Sequence, residues 1–198
     1  MLALFHITAD YFCSGGVVMV PILLVSFFMW VLIFNRVLFL RQLYLKNISR
    51  QQAGEFIRQN QWPDEKYQGA NSMLVREFLA HRSLAKGLDD FILDETVLRL
   101  ISSMDKYLAA IAALSAVAPL LGLLGTGVGM METFDVITRF GTGNARAMAG
   151  GISVALITTQ TGLMVSIPGL YMSGWLRRRS QNLKTRIATT GMYLKRYL

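Results

Sequence analysis

Cysteine is nearly missing from this chain, and its scarcity excludes much. Cys13 stands alone, so no internal disulfide can form, and with only His6 and His81 beside it there is no thiol or imidazole set for a metal site. No metal or other cofactor is expected. Charge is scarce as well, at 16% of residues against 53% apolar ones, where a soluble domain carries about a quarter. The mean hydropathy of +0.41 puts the chain in the membrane class. A phosphate loop of the form G-x-x-x-x-G-K-[ST] is absent, so nothing points to nucleotide hydrolysis or to an enzyme, and any work must draw on another energy source.

What is present is three long uncharged runs, Tyr11 to Asn35, Tyr107 to Met131 and Ala147 to Leu176. Each exceeds the roughly 20 apolar residues that cross a hydrocarbon core. The sequence therefore predicts an all-α membrane protein with transmembrane helices near 17–40, 107–137 and 148–176. Lys and Arg set the orientation. Segment 41–106 holds ten of them and 177–198 holds seven, whereas 138–147 holds Arg139 and Arg146 and 1–16 holds none. By the positive-inside rule 1–16 and the loop 138–147 lie outside, and the helical region 41–106 and the basic tail 177–198 are cytoplasmic. The segment 1–16 lacks the basic start of a cleavable signal peptide. The Arg177-Arg178-Arg179 cluster abuts a span, so it reads as an anchor at the lipid headgroups, with no nucleic-acid partner.

The cytoplasmic region reads as long helical extensions. The first span is expected to run on through Asn60, until Trp62-Pro63-Asp64-Glu65 breaks it and offers acids to a second helix ending near Lys86 and Gly87. From Leu88, with Asp89 and Asp90 in its first turn, one helix is expected to continue unbroken to about 137.

Spans two and three carry stripes of small or hydroxyl residues three or four apart. In the second they are Ser115, Ala118, Gly122, Thr126, Gly129 and Thr133. In the third they include Gly151, Ala155, Thr159, Gly162, Ser166 and Gly169, ending at Ser173. Such faces let membrane helices pack closely. Two features exceed packing. Thr158-Thr159-Gln160-Thr161 point around a whole helix, and Pro119 and Pro168 each remove a backbone bond inside a span, a distortion tolerated where protein or water satisfies the freed group. Together they indicate helices around a polar passage.

The segments APLLGLLGTGVGMMETF, GTGNARAMAGG and GISVALITTQTGLMVSIPGL resemble the paired motifs of the MotA/TolQ/ExbB proton-channel family, and its ExbB branch most. The resemblance implies a homopentamer in the bacterial inner membrane, multi-pass. Its second and third spans would enclose the single membrane helices of an ExbD-type partner bearing a membrane Asp, with the proton motive force energising a TonB-type protein. It also implies that Thr126, in the L-L-G-T motif, and Thr159 line the ion path, with Gly122, Gly129, Val154, Ala155, Thr158, Gly162 and Ser166 lining the pore or packing the helices. One position departs from the pattern: many members have a glutamate where this chain has Val154.

The inner parts of the spans contain no Asp, Glu, His or Lys, and Arg36 sits only at the end of the first. A threonine relays protons but does not titrate, so the acid is expected from another chain. A TolQ-like or other envelope motor is the alternative within the family. An oligomeric solute transporter and a membrane scaffold are alternatives outside it. The aromatic first span, with Phe27, Phe28, Trp30 and Phe34, is expected to face lipid at the periphery of the pentamer.

Overall fold

A computed structural model describes residues 15–45, 47–64, 67, 69–83 and 87–197. The expected outer segment 1–16 lies outside the described residues except for Gly15 and Gly16, and with it His6 and Cys13. Glu65 and Lys86 lie outside them too. Among the described residues every regular element is helical: α1 Met19–Leu45, α2 Arg50–Gln59, α3 Ala70–His81, α4 Leu88–Ser103, α5 Leu108–Phe140 and α6 Ala145–Leu194, with short 3-10 turns at Gly141–Gly143 and Lys195–Tyr197. Three stretches are long and apolar enough to cross a membrane: Met19–Tyr44, Ala145–Leu194, and Leu88–Gly143, whose uncharged part lies in α5. The all-helical, three-span class expected from composition is what the chain adopts.

Three expectations about helix ends are corrected. The first span does not run on to Asn60. It stops at Leu45, and α2 begins afresh behind Ser49, whose hydroxyl accepts from Gln52 N while the Gln52 side chain accepts from Ser49 N. This reciprocal cap satisfies donors that a continuous helix would have bonded internally, and so fixes a start. The helix after Trp62-Pro63 opens at Ala70 behind Gly69 with no acid in its first turn, and closes at His81, ahead of Gly87.

The third correction lies between α4 and α5. The expected single helix is interrupted by turns at Met104–Tyr107, with Tyr107 at φ 67°. No Gly or Pro occurs there. The carbonyls released at the break are taken up instead: Arg36 Nη2 donates to Ser103 O (3.1 Å) and to Met104 O, and Ser180 Oγ donates to Met104 O (2.8 Å). Asp105 is held by Lys184. The connection from α5 to α6 is also shorter than expected. Only Gly141–Asn144 separate the two helices, because Gly141 takes a positive φ of 68° that turns the chain at once.

The chain forms two compact regions. One combines the chain up to Ile33 with Ala110–Ser173, and the other combines Phe34–Ala109 with Gly174 onward. In the first, α1 offers one narrow inward face through Ile22, Met29 and Ile33 and turns Phe27, Phe28 and Trp30 outward. In the second, Ile57, Leu74, Phe78, Leu93, Leu183 and Ile187 form a fully buried core. Around it Arg82 pairs with Asp89 at 3.2 Å, and Lys195 with Asp94 at 2.6 Å.

Candidate functional site

In the first region α5 and α6 lie backbone against backbone. A Cβ placed on Gly162 would lie 2.7 Å from Ala118 O and 3.1 Å from Gly122 Cα, and one on Gly129 would lie 2.5 Å from Gly151 O and 2.7 Å from Ala155 N. Only glycine permits that approach. The seam on α5 runs Ser115, Ala118, Gly122, Gly125, Gly129, Thr133, all buried. On α6 it runs Gly151, Ala155, Thr158, Gly162, Ser166, Gly169, all buried as well. Each expected stripe was thus displaced at one position. Gly125 takes the place of Thr126, and Thr158, whose side chain a Cβ on Gly125 would strike, takes the place of Thr159. A step of three followed by four and a step of four followed by three fit the same helix face, so spacing alone does not choose between them.

Thr126 and Thr159 therefore flank the seam, both half-buried. Thr159 Oγ1 donates to Ala155 O (3.1 Å) in its own helix and to Gly122 O (3.2 Å) across the seam, while Thr126 Oγ1 donates to Leu123 O (2.6 Å). Both hydroxyl protons are committed to backbone carbonyls. What each threonine keeps for its surroundings is acceptor lone pairs. Thr158 and Thr161 also bond within α6, to Val154 O (2.9 Å) and Ile157 O (2.8 Å).

Neither proline interrupts its helix: α5 continues through Pro119 and α6 through Pro168. Pro119 has no N–H to give the carbonyl four residues before it, that of Ser115. Ser166 Oγ donates to that oxygen at 2.8 Å, and Ser115 Oγ bonds Ile111 O (2.7 Å) and Met29 Sδ (3.3 Å), tying α1 to the seam. The link to Met29 was missed in the sequence because methionine reads there as bulk apolar filling.

Val154 borders a hollow of about 450 Å³ at the α5–α6 turn, together with Gly150, Ser153, Val136 and Glu132. Glu132 makes no hydrogen bond or ion pair among the described residues, whereas Asp135 is held by Arg139 at 3.0 Å. Among the described residues there is no cluster of His, Cys, Asp or Glu that could hold a metal. The arrangement offers close helix packing, a row of hydroxyl acceptors and no titratable group along the seam itself.

The ExbB-like 1 protein of Synechocystis sp. is 33% identical to this chain over 170 residues, 80% of the chain and 66% of that protein. The ExbB-like 3 protein of the same organism is 30% identical over 83% of the chain and 82% of its own length. The biopolymer transport protein ExbB of Aquifex aeolicus is 36% identical over 41% of the chain, and the match spans about half of that relative, 55%. Residues 70–189, which include α5 and the whole seam on α6, match the sequence model of the MotA/TolQ/ExbB proton channel family. With helices that span a membrane and a seam built from the residues matched, the chain is a membrane protein that belongs to the MotA/TolQ/ExbB proton channel family.

Proposed function

We propose that this chain is the ExbB-like subunit of a proton-channel motor in the bacterial inner membrane, with its N-terminus outside and its C-terminus in the cytoplasm. Five copies enclose the membrane helices of an ExbD-type partner, and proton flow energises a TonB-type protein for transport across the outer membrane. The observation that carries this reading is the combination of a seam without a titratable side chain and two flanking threonines whose protons are already used. Thr126 and Thr159 accept from a protonated carboxyl or from water, so they suit the proton-loaded state of an acid that another chain supplies. Within one protomer the seam, closed by glycine contacts, leaves no room for a solute.

The test is proton flux in liposomes. The chain alone should pass negligible current, and the complex with its single-span partner should conduct. Thr126→Val and Thr159→Val should assemble with the partner and lose flux, while Thr→Ser at either site keeps it and Thr161→Val has little effect. A packing role alone would cost each valine variant only about 1 kcal/mol of assembly and leave flux intact. Robust flux from the chain without a partner would overturn the reading.

A further inference from the structure

Beyond the ion path, the second region contains a cavity of about 720 Å³ whose chemistry the proposed function does not use. Leu108 and Ala109 of α5 line one side of it, and Gly174, Arg177, Arg178 and Gln181 of α6 line the other. Asp105 and Lys184 also border it, but these two are bonded to each other. Arg177 and Arg178 make no hydrogen bond, ion pair or ring contact among the described residues. Two arginines without a partner among the described residues thus share its lining with Gln181. Arg179 is used differently: its guanidinium lies 4.9 Å over the Tyr44 ring and 5.3 Å over Trp175, beside a separate hollow.

We propose that Arg177, Arg178 and Gln181 form a socket for the phosphate group of an anionic phospholipid. Guanidinium forks match phosphate oxygens in geometry and charge. Arg177 directly follows the uncharged run that ends at Leu176, which places the socket at headgroup depth. The lip is apolar, and a Cβ on Gly174 would meet nothing within 4 Å, so the glycerol and the first acyl carbons have room beside the phosphate. A free phosphate would gain nothing from that lip. Acidic side chains of a second copy are the competing occupant; Asp89, Asp94 and Glu95 of α4 are paired within the chain with Arg82, Lys195 and Arg99, which leaves Asp90 as the acid of that helix able to compete.

Native mass spectrometry of the full chain, extracted with phosphatidylglycerol or phosphatidylcholine, tests this. The wild type should retain phosphatidylglycerol selectively. The double variant Arg177→Gln/Arg178→Gln should hold it about thirtyfold more weakly, two basic contacts being removed. Arg179→Gln should bind like wild type, and Arg177→Lys/Arg178→Lys should keep most of the binding. Four results would overturn the socket: equal losses at all three arginines, which is diffuse surface attraction; equal losses in the Lys and Gln variants, which is lost packing; displacement by 10 mM inorganic phosphate, on the order of a millimolar free-phosphate site; and no lipid selectivity with oligomers that fall apart on Arg177→Glu, which is a contact between copies.

Discussion

In the region built from the chain up to Ile33 and Ala110–Ser173, the buried positions along α5 and α6 are, Ile111 apart, Gly, Ala, Ser and Thr, and the large apolar residues Leu120, Leu123, Met164, Ile167 and Tyr171 point outward. In the region of Phe34–Ala109 and Gly174 onward the order is reversed, with Phe78, Leu93, Leu183 and Ile187 inside and Arg or Lys on the surface. The difference follows from the solvent each is made for. Water rewards removal of large apolar groups at about 25 cal/mol per Å². Lipid tails are as apolar as leucine and reward nothing of the kind, so helices there adhere through close backbone approach and hydroxyl bonds. One chain thus uses two packing rules, and the same residue type carries different weight in each.

The largest expected effect lies where water is the solvent. Phe78→Ala should destabilise the second region by about 3–5 kcal/mol, seen as a lowered midpoint on denaturant titration of the purified chain in detergent. Phe27→Ala, at a ring 65% exposed in the first region, should change the protomer by less than about 0.5 kcal/mol. Similar losses at both rings would break the comparison.

Next comes the seam. Gly162→Val places side-chain atoms against Ala118 O and Gly122 Cα, which are backbone and cannot give way, so a loss of about 1–3 kcal/mol or failure to pack is expected. Gly150→Ala, where a Cβ meets nothing within 4 Å, should be silent in the same denaturant titration. The smallest effect is Ser166→Ala, which deletes the donor to Ser115 O and should cost about 1 kcal/mol. In a Pro119→Ala background the helix supplies its own donor to that carbonyl. The serine change should then cost nearly nothing, and an undiminished loss would show that Ser166 acts by packing.

The spans were legible in the sequence because uncharged runs of that length have few other uses. The seam was legible as a pattern but not to the residue, since Gly125 and Thr126, like Thr158 and Thr159, satisfy the same spacing and only the rotation of one helix against the other decides. The start at Arg50 was written locally, as Ser49 followed three residues on by Gln52. The break at Met104–Tyr107 was not written locally at all. Its causes are Arg36 and Ser180, 68 and 76 residues away from Met104 in sequence. Tertiary bonds overrode a stretch whose own composition favours helix.

That break has a mechanical meaning. Had α4 and α5 been one helix, an unbroken ladder of backbone bonds would have made Leu88 to Phe140 a single stiff rod, and a twist applied at one end would have arrived at the other. Across Met104–Tyr107 the bonds that remain reach mostly three residues back, a tighter and poorer ladder than the α-helix on either side. The carbonyl of Met104, gripped by side chains from α1 and α6, fixes the place along Leu88 to Phe140 at which the helical ladder is broken.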